Sequence, residues 1–65
     1  MIYLEPRSRY DKAIIDEKNI VYSLEKLINI LIDELNCDYF EAIDFYYFNI
    51  EALSFQGLSV VDDLE

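Results

Sequence analysis

The sequence predicts an α+β fold: a small ββααβ domain in which a three-stranded antiparallel sheet carries two helices packed on one face. Three observations predict it. Two β-rich runs flank a polar turn within residues 12–23. Two segments with apolar residues at helical spacing follow, at 24–35 and 38–53, separated by Asn36 and Cys37. A last β-branched run follows Gly57, within residues 58–65, and ends in an acidic tail. With residues 1–11 as an extended arm, the 65 residues form a single domain. A chain this short buries only about 60% of its unfolded surface, so its stability margin is small. At 54% hydrophobic and 15% aromatic it is still too apolar to stay unfolded, despite a formal net charge of -9.

Each element has a local reason. In "LEPRSRYD", Pro6 biases Glu5 away from helix, which predicts the extended arm. In "AIIDEKNIVYS", Ala13–Asp16 and Ile20–Tyr22 read as strands. Glu17–Asn19 reads as the turn between them, with Asn tolerating positive φ. Ser23 is the expected N-cap of the first helix. At about 100° per residue, Leu24, Leu27, Ile28, Leu31 and Leu35 share one face, with Ile30 and Ile32 flanking it. Glu25, Lys26, Asn29 and Asp33 take the opposite face. Asp38 followed by Glu41 at N3 is a capping box that opens the second helix. Gly57 allows a turn, and Ser59–Asp62 reads as the third strand. The tail acids Asp62, Asp63 and Glu65 suit the protection of an edge.

The second helix raises the functional question. "CDYFEAIDFYYFNI" holds six aromatic residues in fourteen positions. On the helical wheel Tyr39, Phe40, Ala42, Ile43, Tyr46, Tyr47, Ile50 and Leu53 cover one broad arc, expected to face the core. Glu41, Asp44 and Glu51 fall opposite. Phe48 lies between Asp44 and Glu41, and Phe45 lies near the edge of that acidic side. An exposed ring bordered by carboxylates suits protein recognition, because the ring fills a pocket and the acids meet its basic rim. The competing reading is that the C-terminal segment folds back over Phe45 and Phe48.

Charge divides the chain. Residues 1–26 hold all five bases (Arg7, Arg9, Lys12, Lys18, Lys26) and five acids, and are neutral overall. Residues 27–65 hold nine acids and no base, so the whole net charge lies there. Such a field repels nucleic acid and attracts basic surfaces, including the nucleic-acid grooves of other proteins. Direct nucleic-acid binding through Arg7, Arg9 and Lys12 runs against the net charge. An acidic surface also disfavours anionic lipid, and no apolar run is long enough to span a membrane.

Catalytic chemistry finds little support. The absence of His removes the commonest general base and the usual zinc ligand set. Cys37 is a lone thiol with no CxxC partner, which fits a reducing cytosolic setting better than a disulfide or a nucleophile. A single glycine leaves no phosphate-cradling loop. Neighbouring acids such as Asp33–Glu34 and Asp62–Asp63 are ordinarily solvated rather than metal-binding. The expectation is a protein that is not an enzyme and uses no cofactor or metal.

The segments "PRSRYDKAII", "IVYSLEKLINILIDEL" and "CDYFEAIDFYYFNI" run in an order that resembles a group of short, acidic bacteriophage and prophage proteins of unassigned function. The resemblance covers about residues 6–50, and the Pro-Arg arm together with "EAIDFYYFNI" is its most specific part. The hairpin turn lacks the group's Asp-Gly, and the end "GLSVVDDLE" lacks its Gly-Glu-Gly run. What the resemblance implies is a phage-encoded protein acting in the host bacterial cytoplasm; it carries no catalytic residues to transfer.

Two functional readings follow. In the first, the protein inhibits a nucleic-acid-handling host protein, such as a CRISPR effector, by presenting phosphate-like charge. Its partner-binding residues would be Asp33, Glu34, Asp44, Phe48, Glu51, Asp62 and Asp63. Arg7 and Arg9 would pair with acids inside the fold or across a dimer. In the alternative, the chain is a self-associating structural or scaffold protein, a homodimer for instance, whose acids serve solubility only.

Overall fold

The computed structural model describes residues 2–64. It is a small α+β domain whose elements run α1 (Arg7–Tyr10), a 3-10 turn (Asp11–Ala13), β1 (Ile14–Asp16), β2 (Val21–Ser23), α2 (Leu24–Leu35), α3 (Tyr39–Asn49), a second 3-10 segment (Glu51–Gln56) and β3 (Ser59–Val61). The sheet order is β1-β2-β3.

The sheet is mixed, which corrects the expected antiparallel arrangement. β1 pairs antiparallel with β2, Ile14 opposite Tyr22 and Asp16 opposite Val21, with an irregularity between the two pairs. β3 pairs parallel with β2 in the register Val21–Ser59, Tyr22–Val60 and Ser23–Val61. The connection is long enough to permit this direction. A parallel return needs a crossover of roughly a dozen residues or more, and residues 24–58 supply one built of α2, α3 and the second 3-10 segment.

The arm is not extended throughout. Pro6 holds an extended backbone at the N-cap of α1, and its carbonyl accepts from Arg9 N at 3.0 Å and Tyr10 N at 3.2 Å. A proline tolerates this place because the first helical turn needs no donor from it. Ahead of it, Leu4 is buried, and its N–H donates to the Tyr22 hydroxyl at 2.8 Å. The arm is therefore part of the core.

The hairpin forms one residue later than expected. Ala13 belongs to the 3-10 turn, and β2 extends to Ser23. The Asp16 carboxylate shapes the turn: Oδ1 accepts from Lys18 N (3.0 Å) and Asn19 N (3.2 Å), and Oδ2 from Asn19 Nδ2 (2.9 Å). With residues 16–19 so fixed, the left-handed step falls on Ile20, at φ 54°, and not on Asn19. A β-branched residue there costs about 1–2 kcal/mol.

α2 starts as its sequence dictates. The Ser23 hydroxyl accepts from Lys26 N at 3.2 Å, and Asn36 ends the helix in the left-handed conformation. Leu24, Leu27, Ile28 and Leu31 are buried, each contributing about 1.5–3 kcal/mol. Leu35, expected in the stripe, is exposed, whereas Ile30, expected at its margin, is buried. The reason is a second contact surface: α2 packs against α1 and the first 3-10 turn as well as against α3, so its buried arc turns toward Ile30.

α3 departs most from expectation. Asp38 caps it by accepting from Glu41 N at 2.8 Å. The α-helix stops at Asn49 instead of running to residue 53. Beyond Ile50 the chain tightens into the 3-10 segment, with Leu53 N donating to Ile50 O at 2.9 Å, and turns at Gly57 with φ 107°. The buried stripe is narrow: Ala42, Tyr46 and Ile50, four residues apart, with Ile43, Phe45 and Leu53 half-buried beside it. Tyr39, Phe40 and Tyr47, expected in the core, are exposed. At about 100° per residue, a stripe centred on Tyr46 leaves Phe40 and Tyr47 at or beyond a right angle from it.

Candidate functional site

The narrow buried stripe of α3 leaves an aromatic and acidic outer face. Phe40, Asp44 and Phe48 are four residues apart and form one ridge along the helix. Phe40 is 77% and Phe48 82% exposed. Glu41 flanks the ridge on the side of Phe48, Tyr47 on the side of Phe40, and all of these side chains are exposed. Further along, Phe55 in the second 3-10 segment is 94% exposed. Nothing in the described C-terminal segment covers Phe48. Phe45 is half-buried against the N-terminal arm, where it lines a groove of about 400 Å³ with Ile2, Tyr3, Leu4, Glu5, Tyr10, Asn49, Ile50 and Leu53.

A second groove, of about 290 Å³, opens where the end of α3, the second 3-10 segment and β3 converge. Leu24, Leu58 and Val60 give it apolar walls; Tyr46, Tyr47, Ser54, Glu51 and Asp62 give it polar ones. Burial, then the negative charge of Glu51, raises the Tyr46 phenol above its ordinary pKa, with smaller contributions from Tyr47 and Asp62. Tyr46 is therefore a neutral hydroxyl at physiological pH, standing among carboxylates.

The acids expected to act together fall into distinct places. Asp44 and Phe48 share the α3 ridge, and Glu51 and Asp62 share the second groove. Asp33 is exposed near the end of α2. Glu34 meets Arg9, with Oε2 and Nε 3.6 Å apart, so the N-terminal half partly neutralises it. Arg7 pairs with Asp11 at 3.1 Å, not with an acid of the C-terminal half, and its guanidinium stacks 3.6 Å from the Tyr3 ring centre. Asp63 is committed inside the fold: its carboxylate accepts from Ser23 Oγ at 2.5 Å and from Glu25 N at 2.9 Å. These bonds hold its carboxyl below the usual carboxylate range. Asp63 thus completes the N-terminal cap of α2, where negative charge is favoured, and is not free for a partner.

Cys37 lies half-buried with its thiol 3.7 Å from Leu31 O. Burial first, then the carboxylates of Glu41 and Asp38, push its pKa up, which keeps it a thiol and not a thiolate. Among the described residues, no group of three or more His, Cys, Asp or Glu side chains is placed to hold a metal ion. No helix among the described residues is long and apolar enough to cross a membrane.

Helical periodicity does not single out Phe40, Tyr47, Phe55 or Tyr46 as surface or groove residues. The four-residue spacing Phe40–Asp44–Phe48 was the available signal, since it places Phe40 on the same line as an acid. For Tyr46 no sequence signal existed, because its neighbours Glu51 and Asp62 reach it only through the fold. No family model, curated protein or solved structure matches this sequence.

Proposed function

We propose that this chain is a small, non-catalytic inhibitor of bacteriophage type that acts in the host bacterial cytoplasm. It binds the basic nucleic-acid groove of a host protein, such as a CRISPR effector or another defence protein, and excludes DNA or RNA by presenting carboxylates in place of phosphates. The observation that carries the reading is the α3 ridge: Phe40 and Phe48 stand exposed one turn either side of Asp44, in a half of the chain with nine acids and no base. Apolar rings supply burial at the centre of an interface, and the surrounding acids require a basic rim on the partner.

Self-association is the second reading, favoured by the exposure of Phe40, Phe48 and Phe55. The charge argues against it. A two-fold interface sets the same patch on both copies, so Asp44 and Glu41 would face like charges with no base from residues 27–65 between them.

The test is capture from a bacterial lysate at low and high salt, with the oligomeric state measured alongside. The screening length falls from about 10 Å at 0.1 M to about 3 Å at 1 M salt. A charge-held nucleic-acid-binding partner is therefore retained at low salt and lost at high salt, by a monomeric bait. A salt-insensitive dimer with no partner overturns the reading.

A further inference from the structure

The groove beside the ridge contains an unpartnered polar group. Tyr46 is 6% exposed, yet its hydroxyl makes no hydrogen bond among the described residues. No fully buried side-chain oxygen or nitrogen among the described residues lacks a partner, so the Tyr46 oxygen reaches the surface, and the groove it lines is where it does so. A tyrosine whose body is this buried ordinarily finds a protein partner for its hydroxyl. Here the position is open to a ligand.

The chemistry around it specifies that ligand. Glu51 and Asp62 line the same groove and demand positive charge. Tyr47, half exposed and packed edge-on against Tyr46 with ring centres 5.3 Å apart, offers an aromatic face. Leu24 and Leu58 form an apolar wall for a hydrocarbon stem. We infer that this groove receives an arginine side chain of the partner protein: the guanidinium is held between Glu51 and Asp62, donates to the Tyr46 hydroxyl and lies against Tyr47. A guanidinium fits better than an ammonium because its planar fork provides several donors to several acceptors and stacks on a ring. The protein already uses the same contact internally, where Arg7 lies on Tyr3. The inference rests on the proposed binding of a basic partner and names the residue by which that partner is gripped.

The test uses the full chain and three blocked tripeptides, acetyl-Ala-Xaa-Ala-amide, with arginine, lysine or the neutral isostere citrulline at the centre. Binding is read from backbone amide shifts in two-dimensional NMR. The arginine peptide is expected to shift Glu51, Ser54 and Asp62 saturably, with at least fivefold tighter binding than the citrulline peptide and tighter binding than the lysine peptide. Tyr46→Phe removes only the hydroxyl, and Asp62→Asn only a charge at an exposed site. Each is expected to weaken the arginine peptide at least threefold while the rest of the spectrum stays in place. Equal responses to arginine and citrulline, shifts spread over all the acids, or full binding by both variants overturn the inference. Salt-sensitive capture alongside a null titration overturns the groove assignment alone. A successful titration without capture overturns the partner reading alone.

Discussion

Asp63 and Ser23 meet across 40 residues of chain, the serine hydroxyl donating to the carboxylate at 2.5 Å. The bond locks the segment after β3 onto the start of α2, because Ser23 is both the last residue of β2 and the N-cap of the helix. The same carboxylate takes the Glu25 N–H, so one side chain satisfies a cap and fixes the parallel strand beside its neighbour.

Asp63→Asn is accordingly expected to lower the denaturation midpoint at pH 7, and Ser23→Ala to cost about 1–2 kcal/mol. The pH dependence has a definite sign. The carboxyl of Asp63 is held below its ordinary 3.8 in the folded state, so its contribution is fully present above that value and is lost as pH falls through the lower folded value. Urea denaturation of both proteins at pH 7 and near pH 3 checks it: the gap between wild type and Asp63→Asn should narrow in acid.

Tyr22→Phe tests whether the arm belongs to the core. Leu4 N–H has the Tyr22 hydroxyl as its acceptor, and both residues are buried. Removing the acceptor strands a buried donor, with an expected loss of about 1–3 kcal/mol. Equilibrium denaturation reads the loss, and an unchanged midpoint would show the arm to be detached in solution.

Phe40→Ser combined with Phe48→Ser separates folding from recognition. Both rings are largely exposed, so the midpoint should move by no more than about 0.5 kcal/mol for each. Partner capture, in contrast, should be lost. A double variant that unfolds would mean the rings pack in solution against something in the chain.

Asp44→Lys and Glu51→Lys reverse charge on the ridge and at the groove rim. Both side chains are exposed, so circular dichroism should stay unchanged while inhibition of the partner disappears. If both reversals leave inhibition intact, recognition does not run through α3 and the 3-10 segment that follows it.

Much of the fold was legible because it rests on local rules. Ser23 and Asp38 mark caps through their side-chain oxygens, Gly57 marks a turn through its backbone freedom, and the stripe Leu24–Leu27–Ile28–Leu31 announces a buried helix face. The parallel pairing of β3 was not legible, since strand direction is set by how a long crossover packs and not by the strand's residues. Leu35 and Ile30 exchanged their expected roles for a similar reason: α1 and the first 3-10 turn add a contact that α2's own periodicity does not encode. In α3, apolar residues cover so much of the wheel that periodicity does not say which aromatics are buried, and Tyr39, Phe40 and Tyr47, expected inside, lie at the surface. The candidate site was half readable. Helical spacing places Asp44 and Phe48 on one face, but the internal bonds of Asp63 and the Arg9–Glu34 pair depend on long-range contacts.

Competition with nucleic acid is the decisive measurement for phosphate mimicry. The partner captured at low salt is bound to a labelled oligonucleotide, and the protein is added at increasing concentration. Phosphate mimicry predicts complete, saturable displacement by wild type and none by Asp44→Lys. A ternary complex in which partner, oligonucleotide and protein coexist would contradict it.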